Sequence, residues 1–218
     1  MELWDDVRRV IVRLTDEQPS PLRQWPDPSY DEHRPPFRIH LEAWAVSTAA
    51  DLLDQFGDDV DLTVGALPFP PGRAHERRPE VVRRADLLDP GQAAVELDGP
   101  AVVRSGQMLQ HGILLHNLSS DEMRLATNGQ VTAVIVDPQT EQVIGGSTLP
   151  QLLIGVEFLV PAGETKRIPL LIGTESFVPD LGYVVPAGRW GLETTLTLGR
   201  NPDSPVRRTP VLPLTITA

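Results

Sequence analysis

The spacing of apolar residues near the start of the chain predicts two amphipathic helices. Within residues 3–14, apolar side chains recur at helical intervals with charged residues between them, which is typical of a helix with one buried face. Residues 40–57 carry a second face of this kind, and Gly57 stands where a glycine ends a helix. The residues that form this second face are Leu41, Trp44, Ala45, Thr48, Leu52 and Phe56.

A strand and a proline-rich segment complete the predicted N-terminal region. Val60, Leu62 and Val64 alternate with polar residues, which is typical of a half-buried strand. Residues 15–37 hold six prolines, and because proline fixes φ and removes a backbone donor, this segment is predicted to be extended and irregular. Residues 1–70 are therefore predicted to form a small α/β region that includes the proline-rich segment.

A second segment rich in proline and arginine, residues 71–91, is predicted to connect this region to the rest of the chain. Its most basic part is HERRPEVVRR, at residues 75–84. Two interpretations stand side by side: a solvated linker that pairs with acidic surfaces of this chain, or a docking segment for an acidic partner.

From residue 92 onwards the pattern changes to short alternating apolar runs separated by Gly, Pro, Asn and Asp. The runs are AAVELDG, MLQHGILLHNLS, VTAVIVDP, VEFLVPAG, KRIPLLIG, GLETTLTLG and TPVLPLTITA. Many short strands with turn residues between them are typical of an all-β sandwich or barrel. Residues 92–218 are therefore predicted to form one β domain.

The sequence Val-Pro-Ala-Gly occurs twice in this half, as VPAGET at residues 160–165 and VPAGRW at residues 185–190. Proline suits the second position of a type I turn, and glycine suits the position after the two central residues. Each copy is therefore predicted to be a tight turn that introduces a strand. The first joins VEFL to KRIPLLI, and the second precedes WGLETTLTL.

The order of these motifs resembles the bacterial intracellular proteinase inhibitor family of the BsuPI type, whose fold is an immunoglobulin-like sandwich. The motifs are ILLHNLSSDEMRLATNGQVTAVIVDPQTEQVIGG, then VPAGETKRIPL, then GYVVPAGRWGLETTL, within residues 102–198. The stretch GTESFVPDLG lacks the tryptophan of the family pattern, and the first 90 residues have no counterpart in it. The resemblance implies a mainly β fold, an immunoglobulin-like antiparallel β-sandwich preceded by the small α/β region. A fold alone does not imply inhibition.

Charge and composition exclude several classes of function. The formal net charge of −11 disfavours nucleic acid and anionic membrane surfaces as partners, because both attract basic residues. The absence of cysteine excludes disulfides, thiolate catalysis and cysteine-ligated metals. The N-terminal MELWDDVRRVIVRL lacks the apolar core of a signal peptide, and no apolar run approaches the ~20 residues of a membrane span. We therefore expect an acidic, soluble, cytoplasmic protein.

The histidines form no recognisable metal or catalytic motif by their spacing. His111 and His116 lie an odd number of residues apart in a predicted strand, so they should face opposite sides of the sheet. His33, His40 and His75 lie in or beside proline-rich segments, and only the fold decides whether they meet in one site. The sequence predicts no catalytic residue, no metal site and no cofactor.

Tyr183, Arg189 and Trp190 are the candidate partner-binding residues, because they flank the second Val-Pro-Ala-Gly turn. Tyrosine, tryptophan and arginine dominate the energetic hot spots of protein interfaces. The other interpretation is that the aromatic rings pack on the sandwich core or lock its corner.

Two functional hypotheses follow. The first is a non-catalytic binding or scaffolding protein of the bacterial cytoplasm with a protein partner, and proteinase inhibition is a narrower form implied by the resemblance alone. The alternative is an enzyme or enzyme subunit with a histidine and acid site around His33 and His40. A homo-oligomer formed through an edge strand is compatible with either hypothesis.

Overall fold

The structure is a computed structural model that describes residues 2–23, 36–71, 85–148, 155–201 and 203–218. The basic segment 75–84, together with His33 and His75, lies outside these ranges. No helix within the described ranges is long and apolar enough to cross a lipid bilayer.

Residues 2–71, which we call the N-terminal unit, combine two helices with a small sheet. The elements are α1 (Glu2–Asp16), β1 (Phe37–Leu41), α2 (Val46–Phe56), β2 (Val60–Val64) and β3 (Leu67–Phe69). β1 and β2 run parallel and are joined through α2, whereas β3 returns antiparallel to β2. The predicted helix at residues 3–14 and the predicted strand at Val60, Leu62 and Val64 are both confirmed.

The N-terminal unit has an apolar core of its own, to which both helices contribute. Full burial of each of its Val, Leu, Ile and Phe side chains contributes about 1.5–3 kcal/mol to folding. The buried members are Val7, Leu14, Phe37, Ile39, Leu41, Ala45, Ala49, Leu52, Phe56, Val60, Leu62 and Val64.

The helix predicted within residues 40–57 was wrong at its N-terminal end. Residues 37–41 form strand β1, in which Phe37, Ile39 and Leu41 are buried, and α2 begins only at Val46. Trp44 therefore lies outside the helix and is 39% exposed. The period-two pattern of FRIHL and the helical pattern overlap over a few residues, and the longer helical match concealed the strand. The helix does end at Phe56, as predicted.

The rest of the described chain folds into two facing sheets. In chain order the strands are β4 (Asp86–Leu87), β5 (Ala93–Leu97), β6 (Val102–Arg104), β7 (Met108–Asn117), β8 (Met123–Thr127), β9 (Val131–Val136), β10 (Val143–Gly146), β11 (Val156–Val160), β12 (Thr165–Gly173), β13 (Glu175–Ser176), β14 (Gly188–Leu198), β15 (Val206–Arg208) and β16 (Leu212–Thr217). One sheet has the order β11-β8-β14-β15-β4. The other has the order β5-β7-β12-β9-β14-β16-β6, in which β10 also pairs with β9 and β13 pairs with β10.

Strand β14 belongs to both sheets and closes the sandwich at one corner. Its first half pairs with β16 and β9, and its second half pairs with β15 and β8. Between the sheets lies an aliphatic core. Its largest fully buried side chains are Ile113, Leu115, Leu125, Ile135, Ile168, Leu170, Ile172, Leu192, Leu196 and Leu214. The predicted fold class is therefore confirmed: an immunoglobulin-like antiparallel β-sandwich preceded by a small α/β region.

Both Val-Pro-Ala-Gly sequences introduce strands, as predicted. The first connects β11 to β12 and so carries the chain from one sheet to the other. Gly163 has φ +74° in this turn, and its N–H donates to the carbonyl of Asn117 at 2.9 Å. The second leads directly into β14, which begins at Gly188.

Candidate functional site

The N-terminal unit and the sandwich meet along a contact surface that we call the seam. On the sandwich side it includes a long loop, residues 174–185, that leaves the end of β12, contains the short strand β13 and returns before β14. This loop is held closed by two backbone hydrogen bonds. The N–H of Val185 donates to the carbonyl of Thr174 at 2.9 Å, and the N–H of Ser176 donates to the carbonyl of Tyr183 at 3.0 Å.

A buried ion pair crosses the seam. The guanidinium of Arg23 donates to the carboxylate of Glu175 and to the hydroxyl of Thr148, while that hydroxyl donates to the other oxygen of Glu175. The side chains of Arg23 and Glu175 are only 3% and 6% exposed. Removing one partner of such a pair costs about 3–5 kcal/mol, because the remaining charge is left buried without its partner.

The backbone around Arg23 explains how this side chain reaches the seam. The N–H of Arg23 donates to the carbonyl of His40 at 2.9 Å, and the N–H of Glu42 donates to the carbonyl of Pro21 at 2.8 Å. Residues 21–23 thus lie along the outer edge of β1. They direct the guanidinium past the end of this strand and into the sandwich.

Tyr183 makes the second contact across the seam. Its ring centroid lies 5.8 Å from that of Phe69, and its hydroxyl donates to the carbonyl of Pro68 at 3.2 Å. Burial raises the pKa of the Tyr183 phenol above its ordinary value, because the phenolate loses hydration at this position.

A cleft of about 170 Å³ opens at the seam. One wall is the turn that joins β1 to α2, where the N–H of Ala45 donates to the carbonyl of Glu42 at 2.9 Å. The opposite wall includes the turn that joins β6 to β7, in which Gly106 has φ +79°. A Cβ at Gly106 would lie 3.5 Å from the Cβ of Trp44, so the two turns are in van der Waals proximity. The full lining is Pro19, Ser20, Glu42, Ala43, Trp44, Gly106, Gln107, Met108, Thr174 and Glu175.

Three lining residues present exposed or partly exposed functional groups at the cleft. Trp44 is 39% exposed and Met108 is 48% exposed, so both present apolar surface at the same cleft. The side chain of Glu42 is 24% exposed, and its described partner is Arg23, with Nη2 3.5 Å from Oε2. The cleft thus combines an aromatic ring, a thioether and a partly solvated carboxylate.

The three predicted partner-binding residues occupy different environments. Tyr183 contacts the N-terminal unit of its own chain, as described above. The indole N–H of Trp190 donates to the carbonyl of Pro186 at 2.9 Å and so spans the second Val-Pro-Ala-Gly turn. Arg189 is exposed on β14. The hydroxyl of Ser105 donates to the carbonyl of Val185 at 2.7 Å, which ties this turn to the wall of the cleft.

The described histidines lie apart from one another. His111 and His116 face opposite sides of β7: the first contacts the carbonyl of Pro100, and the second contacts Thr165 and Glu96. His40 lies on β1, and its predicted companions are outside the described residues. In the described part of the chain, no group of three or more His, Asp or Glu side chains is arranged to hold a metal ion.

Sequence reasoning missed Arg23, Glu42, Thr148 and Glu175. Arg23 and Glu175 are 152 positions apart, so no local periodicity links them. The one available signal is the stretch GTESFVPDLG, which departs from the BsuPI pattern and contains Glu175.

No protein-family model matches the chain, and no curated protein matches it. Similar solved structures include Spo0M, a sporulation control protein from Bacillus subtilis, with a TM-score of 0.33 and 12% identity over 59% of this chain and 50% of that chain. A CARDB domain from Pyrococcus furiosus, in complex with di-metal ions, has a TM-score of 0.27 and 16% identity over 57% and 91% of the two chains. A PapD-like domain of human CEP192 has a TM-score of 0.28 and 10% identity over 66% and 95%. This chain spans half the length of Spo0M, and we transfer no function from these structures.

Proposed function

We propose that this chain is a non-catalytic binding or scaffolding protein of the bacterial cytoplasm, and that it recognises a protein partner through the seam cleft. The observation that carries the proposal is the lining of this cleft, which exposed Trp44 and Met108 share with the partly solvated side chain of Glu42. Aromatic residues and methionine are enriched in protein interfaces relative to the rest of the surface.

The size of the cleft favours a side chain as its occupant. Pockets for cofactors and drug-sized ligands measure about 300–1,000 Å³, whereas a cavity of about 150 Å³ holds one benzene molecule. The seam cleft, at about 170 Å³, matches a single side chain. This supports an anchor pocket of a protein interface over a substrate pocket.

The position of the cleft in the fold also supports recognition. It lies beyond the carboxyl end of strand β1, where Glu42, Ala43 and Trp44 follow the strand directly and the N-terminal unit meets the sandwich. The ion pair between Arg23 and Glu175 holds the walls in place before any partner arrives. A preformed pocket loses less conformational entropy on binding than a flexible one.

The predicted residues Arg189 and Trp190 extend this proposed surface. They follow the turn that Ser105 ties to the cleft wall, and Arg189 is exposed. We propose that Arg189 contacts the partner at the rim, while Trp190 keeps the turn in shape and Tyr183 holds the two units together.

Proteinase inhibition is a narrower form of the proposal. It is supported by the motif order within residues 102–198, which resembles the BsuPI family. Titration of the intact chain against representative serine and metallo-proteinases tests it. Stoichiometric inhibition supports this form, and undiminished proteolysis at a large excess of the chain removes it while leaving partner binding in place.

Site-specific photo-crosslinking tests the proposal itself. A benzophenone amino acid replaces Met108 in the full chain, and the matched control carries it at Leu118, which is 55% exposed just beyond the other end of β7. These positions lie about 30 Å apart along the strand. We expect a partner adduct from position 108 that unlabelled chain competes away and that Trp44→Ala removes. Equal adducts from both positions, or no adduct from position 108, would overturn the assignment of the cleft.

A further inference from the structure

Among the residues that the structure describes, the charges at the seam cleft do not balance. Two described carboxylates, those of Glu42 and Glu175, face the guanidinium of Arg23. Arg23 makes its close contact with Glu175, whereas its separation from Glu42 is 3.5 Å. Glu42 is also the more solvated acid, so the uncompensated negative charge lies on the cleft surface.

Two hydroxyl donors of the cleft are committed to the protein itself. The hydroxyl of Ser20 donates to the carbonyl of Leu14 at 2.9 Å, and that of Thr174 donates to the carbonyl of Gln107 at 2.9 Å. Arg23 is 3% exposed at its side chain, so its guanidinium does not meet a ligand. The carboxylate of Glu42 is a partly solvated acceptor at the cleft surface, and an occupant that supplies a donor satisfies it.

The apolar rim restricts the occupant further. Trp44 and Met108 present an indole ring and a thioether beside the carboxylate. An indole face attracts a cation through its quadrupole, and the methylene stem of a long basic side chain packs on apolar surface. We infer that the cleft receives an arginine or lysine side chain of the protein partner, an inference that rests on the function proposed above.

Other occupants fit less well. A purely apolar side chain would remove water from Glu42 without giving its carboxylate a hydrogen-bond partner. An acidic side chain would meet the uncompensated charge of Glu42. The net charge of −11 of the whole chain further favours the approach of a basic partner.

Peptide binding to the full chain tests the inference. The probes are acetyl-Gly-Gly-Xaa-Gly-Gly-amide peptides in which Xaa is arginine, lysine, norleucine or glutamate. Binding is followed by the NMR signal of the Trp44 indole N–H, assigned with Trp44→Phe. We expect the arginine and lysine peptides to bind with Kd values of about 1 mM, the range accessible to one side chain, and to weaken at high salt. Norleucine keeps the stem without the charge, and its peptide should bind at least about tenfold more weakly.

Matched variants connect this selectivity to Glu42. Glu42→Gln is close in shape and should weaken the arginine peptide about tenfold, whereas Glu96→Gln, at a 63% exposed side chain on the sandwich, should leave its Kd unchanged. Equal Kd values for arginine and norleucine, a preference for glutamate, or no binding of any peptide would overturn the inference. Any of these results together with a specific adduct at position 108 would leave the proposed function standing.

Discussion

The ion pair between Arg23 and Glu175 provides the sharpest energetic prediction. Arg23→Met removes the guanidinium and leaves Glu175 buried, with the hydroxyl of Thr148 as its remaining described partner. Loss of one partner from a buried pair costs about 3–5 kcal/mol, a large part of the about 5–15 kcal/mol by which a protein of this kind is stable. Glu175→Met should cost a similar amount for the same reason.

The double variant Arg23→Met/Glu175→Met distinguishes a lost pair from lost packing. Replacing both charges with apolar side chains of similar volume leaves no buried charge, so the two single costs should not add. We expect a coupling free energy of about 2 kcal/mol or more between the two positions. Arg167→Met is the control, because Arg167 and its partner Asp98 are 53% and 41% exposed, and such pairs contribute about 0–1 kcal/mol.

Urea unfolding measured by circular dichroism and tryptophan fluorescence is the assay. Coincident transitions by the two probes justify a two-state free energy of unfolding for each variant. The reasoning is refuted if Arg23→Met costs no more than Arg167→Met, or if the free energies of the two seam variants are additive.

Three further predictions concern the seam and the sandwich. In a Tyr30→Phe chain, Tyr183 is the remaining tyrosine, and the ultraviolet absorbance of its phenol should titrate above pH 10.0. Because the raised pKa belongs to the folded state, the stability that the protonated phenol contributes is complete below about pH 10 and is lost as pH rises through the raised pKa. A titration midpoint at or below pH 10.0 contradicts this prediction. Asn117→Ala should lower the free energy of unfolding in urea by about 2–4 kcal/mol. The reason is that the buried Asn117 amide donates to the carbonyls of Asp121 and Val160 and accepts from Ser119. A cost under about 1 kcal/mol contradicts this prediction. Gly145→Ala should cost about 1–3 kcal/mol, because the added Cβ would lie 2.4 Å from the carbonyl oxygen of Glu175. The control is Gly155→Ala, whose Cβ would have no atom within 4 Å and which should change stability by less than about 0.5 kcal/mol. Equal effects of the two variants would contradict the packing argument.

The elements with strong local periodicity were predictable from the sequence. In β7, Ile113, Leu115 and Asn117 alternate as buried residues along one long run, and α1 shows an equally regular helical face. In both cases the burial of one face produces the pattern directly, so the residues carry the signal without knowledge of their partners.

Several short strands escaped prediction because their stabilising contacts are distant in sequence. β10 ends in Gly145 and Gly146, which suggest a loop, yet close packing against the backbone of Glu175 requires the absence of a side chain at Gly145. β4 and β13 have two residues each, too few for any periodicity.

The candidate site was only partly accessible from the sequence. Tyr183 was chosen as an interface residue, and in the structure it makes an interface within its own chain. Its role toward a separate partner stays a prediction, as do those of Arg189 and Trp190. The pair of Arg23 and Glu175 depends on the docking of two units, and no rule based on neighbouring residues links positions 152 apart.

The affinity of the captured partner for cleft variants tests the central claim most directly. Calorimetry compares the unaltered chain with Trp44→Ala and with Leu118→Ala, whose side chain is exposed at the far end of β7. Loss of a hot-spot side chain costs about 2 kcal/mol or more, so we predict a Kd at least about 30-fold higher for Trp44→Ala and an unchanged Kd for Leu118→Ala. An unchanged Kd for Trp44→Ala would show that the partner binds elsewhere and would contradict the account.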